Sequence, residues 1–345
     1  MWRTSLRPLR GIVYLLSVYG SVAAAVAQED PVQAAREGLV LIPQGSSARL
    51  ELPGGGTLQV ALPERAEVSS LAATDAGWAA AGSFPDAAGR QRLFLLAGDD
   101  AGSRTLPEPP AQTGQQRRAP VLLVDGGRLA GAAWLEGDGI RTLAVRAAAW
   151  NGRQWQKPQW VSKPGPGSQL ALTGAVLADG SWLLAWSAFD GTADEIVWSQ
   201  RVGTSWRPAQ RVSAPNAVPD ITPSLMATTS GALLAWSRFD GHGYQLRTAR
   251  FERGAWHDER AAAPSGSLYP AFLGAPDHPR LLYLEAAARS WSVADLDATG
   301  KVLAKASVAA TSLSRPVVDS QGSGGVRLRW PAEKRQATAV LEKVP

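Results

Sequence analysis

The stretch Leu183-Leu184-Ala185-Trp186-Ser187-Ala188-Phe189-Asp190-Gly191 returns fifty residues later as Leu233-Leu234-Ala235-Trp236-Ser237-Arg238-Phe239-Asp240-Gly241. A weaker copy, Ala132-Ala133-Trp134-Leu135-Glu136-Gly137-Asp138-Gly139, ends fifty-two residues before the first. Leu281-Leu282-Tyr283-Leu284-Glu285 and Val326-Arg327-Leu328-Arg329-Trp330 continue the series at spacings of forty-seven, and Trp78 to Asp86 begins it. A period of about fifty residues marks a repeat architecture, in which one unit buries its apolar faces only against its neighbours. Within a unit the apolar runs are short and are separated by Gly and Asp turns such as Asp125-Gly126-Gly127, Asp179-Gly180 and Asn151-Gly152. These residues tolerate positive φ and close hairpins. Each unit therefore reads as four antiparallel strands, A to D, and the whole as an all-β propeller.

Six units predict six four-stranded blades. The last unit stops after its third strand, so a strand from the segment 38–66 is expected to complete the ring. A seven-bladed ring, with that segment as most of a blade, is the alternative. Trp134, Trp186, Trp236 and Trp330 are expected in the core between blades.

The chain has 345 residues, 45% hydrophobic and 19% charged, with 35 Gly and 24 Pro. That composition supports a packed core rich in turns. It has no cysteine, which excludes disulfides, Cys-ligated zinc and thiol catalysis. Residues 1–10 carry Arg3, Arg7 and Arg10, residues 11–24 are apolar, and Ala25-Val26-Ala27 precedes Gln28. This is the pattern of a cleaved export signal over residues 1–27. The domain plan is then a signal (1–27), an N-terminal segment with the closing strand (28–66) and the propeller (67–345). The expected location is the periplasm or the exterior. Net charge falls from +5 to +2 once the signal is removed, and basic residues do not cluster, which argues against nucleic acid. No later stretch is apolar enough to span a membrane. A monomer is expected.

The third-to-fourth strand turns carry a further pattern. Ser199-Gln200-Arg201-Val202-Gly203-Thr204-Ser205-Trp206 follows Ser-x-Asp-x-Gly-x-Thr-Trp, with Arg201 in place of Asp and Ser205 in place of Thr. Ala148 to Trp155 keeps the Gly and Trp, and Ala249 to Trp256 keeps the Trp with its Gly displaced by one. Over residues 68–345 the chain thus resembles a degenerate member of the sialidase-like, BNR-repeat propeller superfamily. The resemblance implies the fold and turns on the face away from the usual ligand site. It implies no activity. The early arginine motif of true sialidases is missing, and Tyr283 stands where the ladder has Trp, so no catalytic residue is carried over.

The site is expected on the face shared by the B–C turns and the D–A links. There the repeat places Asp86, Asp138, Asp190 and Asp240 at equivalent points, with Glu136 and Arg238 beside them and Tyr269 on a link; Arg117, Arg118, Asp220 and Arg315 also lie on links. Carboxylates that accept hydroxyls and a ring that stacks on a sugar face would bind a glycan. A partner protein is the other expected ligand. The alternative function is a divergent sialidase-like glycoside hydrolase using paired carboxylates of this face. Asp-Gly pairs also simply make turns. No metal or organic cofactor is expected: His242, His257 and His278 are scattered, and no phosphate-binding glycine loop or serine elbow occurs.

Overall fold

In the computed structural model the described residues are 30–344, apart from 36–37, 113, 140–141, 311 and 322–323. The expected export signal lies outside them. The described residues form strands and no helix, so none contributes a helix long and apolar enough to cross a membrane. Seven sheets of three to five strands follow one another along the chain as blades one to seven, over residues 32–61, 67–105, 116–160, 169–211, 220–265, 267–309 and 317–340. Each is an antiparallel meander. The inner strands A line a central channel, and B, C and D step outward.

The ring has seven blades, which corrects the six-bladed expectation. Val32–Gln33, Val40–Gln44, Ser47–Glu51 and Thr57–Ala61 pair with one another as a complete first blade instead of lending a strand to the last. The reason is local closure. Gly45 (φ 69°) turns one hairpin, and Gly54 and Gly55 (φ 94° and 95°) turn the next. Pairing across a few residues loses far less chain entropy than pairing across nearly the whole chain. The expected swap into the last blade does not occur. That blade keeps three strands, Val317–Gln321, Gly325–Trp330 and Arg335–Val340. The final strand, Glu342–Lys343, pairs instead with strand D of blade six, Val302–Ala309.

Blades meet through apolar seams. Trp134 lies in the seam between blades two and three, Trp186 between three and four, Trp236 between four and five, Tyr283 between five and six, and Trp330 between six and seven. All five are at most 1% exposed. Successive strands B supply these rings, which accounts for the fifty-residue period. Six seams each hold nine to thirteen buried apolar residues. The seventh, between blades seven and one, has Val40, Ile42 and Val317 among the described residues. Polar contacts reinforce it. The Gln33 side chain donates to Val318 O (2.6 Å) and accepts from Val318 N (2.9 Å). Arg329 donates to Asp319 (2.6 Å) and to Glu51 (2.8 Å), and these carboxylates push its pKa upward.

Candidate functional site

Alternating strand direction puts the B–C turns and the D–A links on one face, as the repeat required. There the turn carboxylates bend back onto their own backbone. Asp86 Oδ1 accepts from the Ala88 and Arg90 N–H groups, both at 2.9 Å. Asp190 Oδ1 accepts from Thr192 (2.7 Å) and Ala193 (3.1 Å), and its other oxygen takes Arg211 (2.7 Å). Asp240 accepts from His242 and Gly243 N–H (2.9 Å) and from the Ser265 hydroxyl (2.7 Å). The Ser265 hydroxyl first, then the two amides, holds the Asp240 pKa down to about 2. Asp138 takes the Thr142 hydroxyl. These acids stand at equivalent places, and each is engaged in closing its turn.

Glu136 lies inside. It is 0% exposed, pairs with Arg146 and accepts the Trp134 indole N–H at 2.7 Å. Arg238 is held by Asp220 in a two-pronged pair (2.7 Å each), by Glu259 (2.6 Å) and by Ser213 (2.7 Å). The Asp220 hydrogen bonds raise its pKa. Sequence reading missed Glu195, whose carboxylate accepts from Asn216 N (3.2 Å), while Asn216 Nδ2 reaches Asp220 at 3.3 Å. Burial, then the Asp220 charge, outweighs the Asn216 hydrogen bond and lifts the Glu195 pKa. Both carboxylates are shut away, at 1% and 0% exposure, in the seam between blades four and five. Tyr283 is equally enclosed. Its phenol is raised in pKa by burial and by Glu285, the opposite of an activated nucleophile.

The open space is the channel, about 1620 Å³ and walled mainly by small apolar residues of the strands A. Its first tier on the B–C face is Asp30, Val68, Ala171, Thr222, Tyr269 and Arg315. Of the residues that the sequence places on this face, Tyr269 and Arg315 line this wall, and the acids of the B–C turns do not. Ala171, Thr222 and Tyr269 share positive φ (51°, 53°, 58°) next to a register shift in strand A. This repeated bulge turns those side chains toward the channel. Asp30 and Arg315 were not singled out together, because 285 residues separate them. The ring brings them side by side: Arg315 N donates to Asp30 Oδ1 at 3.3 Å. Burial lifts the Asp30 carboxyl to about 6 against the opposing pull of the Arg315 charge, and burial lowers the Arg315 pKa. A signal was present: Asp30, Thr222, Tyr269 and Arg315 each precede a proline at the start of a strand A. Among the described residues no three or more His, Asp or Glu side chains gather as metal ligands.

No family model and no curated protein matches the chain. Solved structures do. The polysaccharide lyase Uly1 superposes with a TM-score of 0.55 at 10% identity, covering 93% of this chain and 91% of that one. A PL25 ulvan lyase bound to -[GlcA(1-4)Rha3S]- gives 0.57 at 9% identity, covering 92% of each. A Dyadobacter fermentans protein of unknown function gives 0.51 at 14% identity, covering 81% of this chain and 95% of that one. At such identities the likeness is one of fold. It gives a β-propeller and does not single out the sialidase-like branch.

Proposed function

We propose that the protein is an exported carbohydrate-binding propeller, acting in the periplasm or outside the cell, which seats a saccharide chain at the channel mouth on the B–C face. The observation that carries this reading is the open channel of about 1620 Å³, whose first tier puts a tyrosine ring beside a hydroxyl, a carboxyl and a guanidinium. Saccharide sites combine such a ring face with a few convergent polar groups. Two of the solved structures that share this fold are polysaccharide lyases, which supports a carbohydrate as the ligand class. The acids named from the repeat, Asp86, Asp138, Asp190 and Asp240, then shape the rim of the face.

Among the described residues of this face, Glu195 beside Asp220 is the carboxylate pair an enzyme reading would favour. Their enclosure keeps them from a substrate in this conformation, so binding is the better reading. The test is a glycan array of neutral, sialylated and uronate-containing oligosaccharides, probed with protein from Gln28 onward. Specific binding lost in Tyr269→Ala, and kept in an Asp190→Ala, Asp240→Ala double variant, is expected. Absence of binding to every glycan would overturn the reading and leave a protein partner. Release of shortened products from a bound glycan would make the protein an enzyme.

A further inference from the structure

Arg315 enters the channel wall from the link before blade seven, fixed by its backbone N–H on Asp30 and by Pro316 after it. Three other arginines of the blades are tied to carboxylates. Arg238 grips Asp220, Arg329 grips Asp319 and Glu51, and Arg280 grips Asp295. Among the described residues no carboxylate lies within ion-pair distance of the Arg315 guanidinium. The Asp30 carboxyl acts on it through space alone. Five N–H donors in a wall from which water is partly excluded leave a strong, unfilled demand for an anion. The guanidinium matches the geometry of a carboxylate or sulfate.

The geometry points to a proton-linked anion site across the ring-closing seam: Arg315 seats the carboxylate or sulfate of an acidic saccharide, and Asp30 beside it takes up a proton as the anion binds. The inference rests on the carbohydrate reading and specifies its ligand class. Two negative charges beside one guanidinium repel, so the anion binds best when Asp30 is neutral. The Asp30 carboxyl, lifted by burial to about 6, changes charge just below neutrality. Uronates and sulfates stay ionised throughout that interval.

Other groups do not share this role. From neighbouring blades the first tier presents Val68, Ala171, Thr222 and Tyr269, none of them charged near neutrality. Asp75, His278 and Arg280 line the opposite, A–B end of the channel. Histidine is the other side chain that changes charge in this interval. His242 is in the B–C turn of blade five and His257 in the outer strand Ala255–Ser265, neither in the channel wall.

The test is calorimetric titration of the protein from Gln28 onward with three tetrasaccharides: hyaluronan-derived (carboxylate only), heparin-derived (carboxylate and sulfate) and cellotetraose (neutral). At least one acidic probe should bind ten times more tightly than cellotetraose, and Arg315→Gln should remove that advantage. Affinity for the acidic probe should rise about tenfold or more from pH 7.5 to pH 5.5. Asp30→Asn should bind at both pH values with the slope gone, while a His242→Gln, His278→Gln double variant keeps the slope. Should Arg315→Gln fail to fold, the Asp30→Asn slope still decides. Equal affinity for acidic and neutral probes, or a slope that survives in Asp30→Asn, overturns this inference and leaves the carbohydrate reading standing. Binding of no saccharide overturns the carbohydrate reading itself.

Discussion

Glu136 shows how one residue type serves two ends in this repeat. At the equivalent point of the next two units the chain carries Ala188 and Arg238, so the fold itself does not ask for an acid there. In blade three the acid answers two neighbours, the Trp134 indole and the Arg146 guanidinium, and Arg146 also stacks 4.8 Å from the Trp160 ring centroid. Removing one partner of such a pair leaves a buried charge uncompensated. Glu136→Ala should therefore destabilise the protein by about 3–5 kcal/mol. Urea unfolding of Glu136→Ala and of a Glu136→Leu, Arg146→Met double variant checks this. The double variant should recover most of the loss, because an apolar pair leaves no charge behind. If the single variant loses less than the double, the pair is not what holds this part of the blade.

Strand A is the element that links fold to site. In blades three to six it carries a residue at positive φ beside a register shift: Ala119, Ala171, Thr222 and Tyr269. A side chain at such φ costs about 1–2 kcal/mol, and glycine relieves it at an entropic cost of about 0.5–1 kcal/mol. Ala171→Gly should gain about 0.5–1 kcal/mol in chemical unfolding, whereas Ala175→Gly, in the same strand (Gln169–Val176) without positive φ, should lose stability. A loss at both positions would mean the bulge is not strained. The same elements show what sequence could and could not tell. Leu-Leu-Ala-Trp made strands B and their seams legible, because a buried ring every fifty residues has no other economical explanation. Blade one was legible only as the alternative, because its strand B reads Val40-Leu41-Ile42-Pro43, with no ring, and its hairpins are shorter than the period. The acids of the B–C turns stand at equivalent points of one face, as the repeat spacing implies, but backbone capping is invisible to spacing. The channel mouth joins Asp30 to Arg315, and only closure of the ring brings them together.

At the scale of the whole molecule, and among the described residues, the ring closes on its thinnest seam, three buried apolar residues where the others have nine or more. Hydrogen bonds from Gln33 and Arg329 strengthen it, and Asp30 and Arg315 sit at its channel end. The Asp30 carboxyl stands at about 6 in the fold against an ordinary 3.8. Between those values the folded chain holds a proton that the unfolded chain has released. Stability from this group therefore grows as the pH falls from 6 toward 4, and above 6 the fold carries a charged carboxyl that burial disfavours. Asp30→Asn should be more stable than the parent at pH 7.5, on the order of 1 kcal/mol once solvent screening of a half-buried group is allowed for, and should match it near pH 4. Thermal unfolding across pH 4–8 measures both curves, and parallel curves would remove Asp30 as the titrating group. A parent chain that keeps the less stable residue at its weakest seam fits a site where stability is given up for ligand binding. An acidic saccharide bound at Arg315 should then raise the parent's unfolding temperature more at pH 5.5 than at pH 7.5, because the protonated seam holds it more tightly.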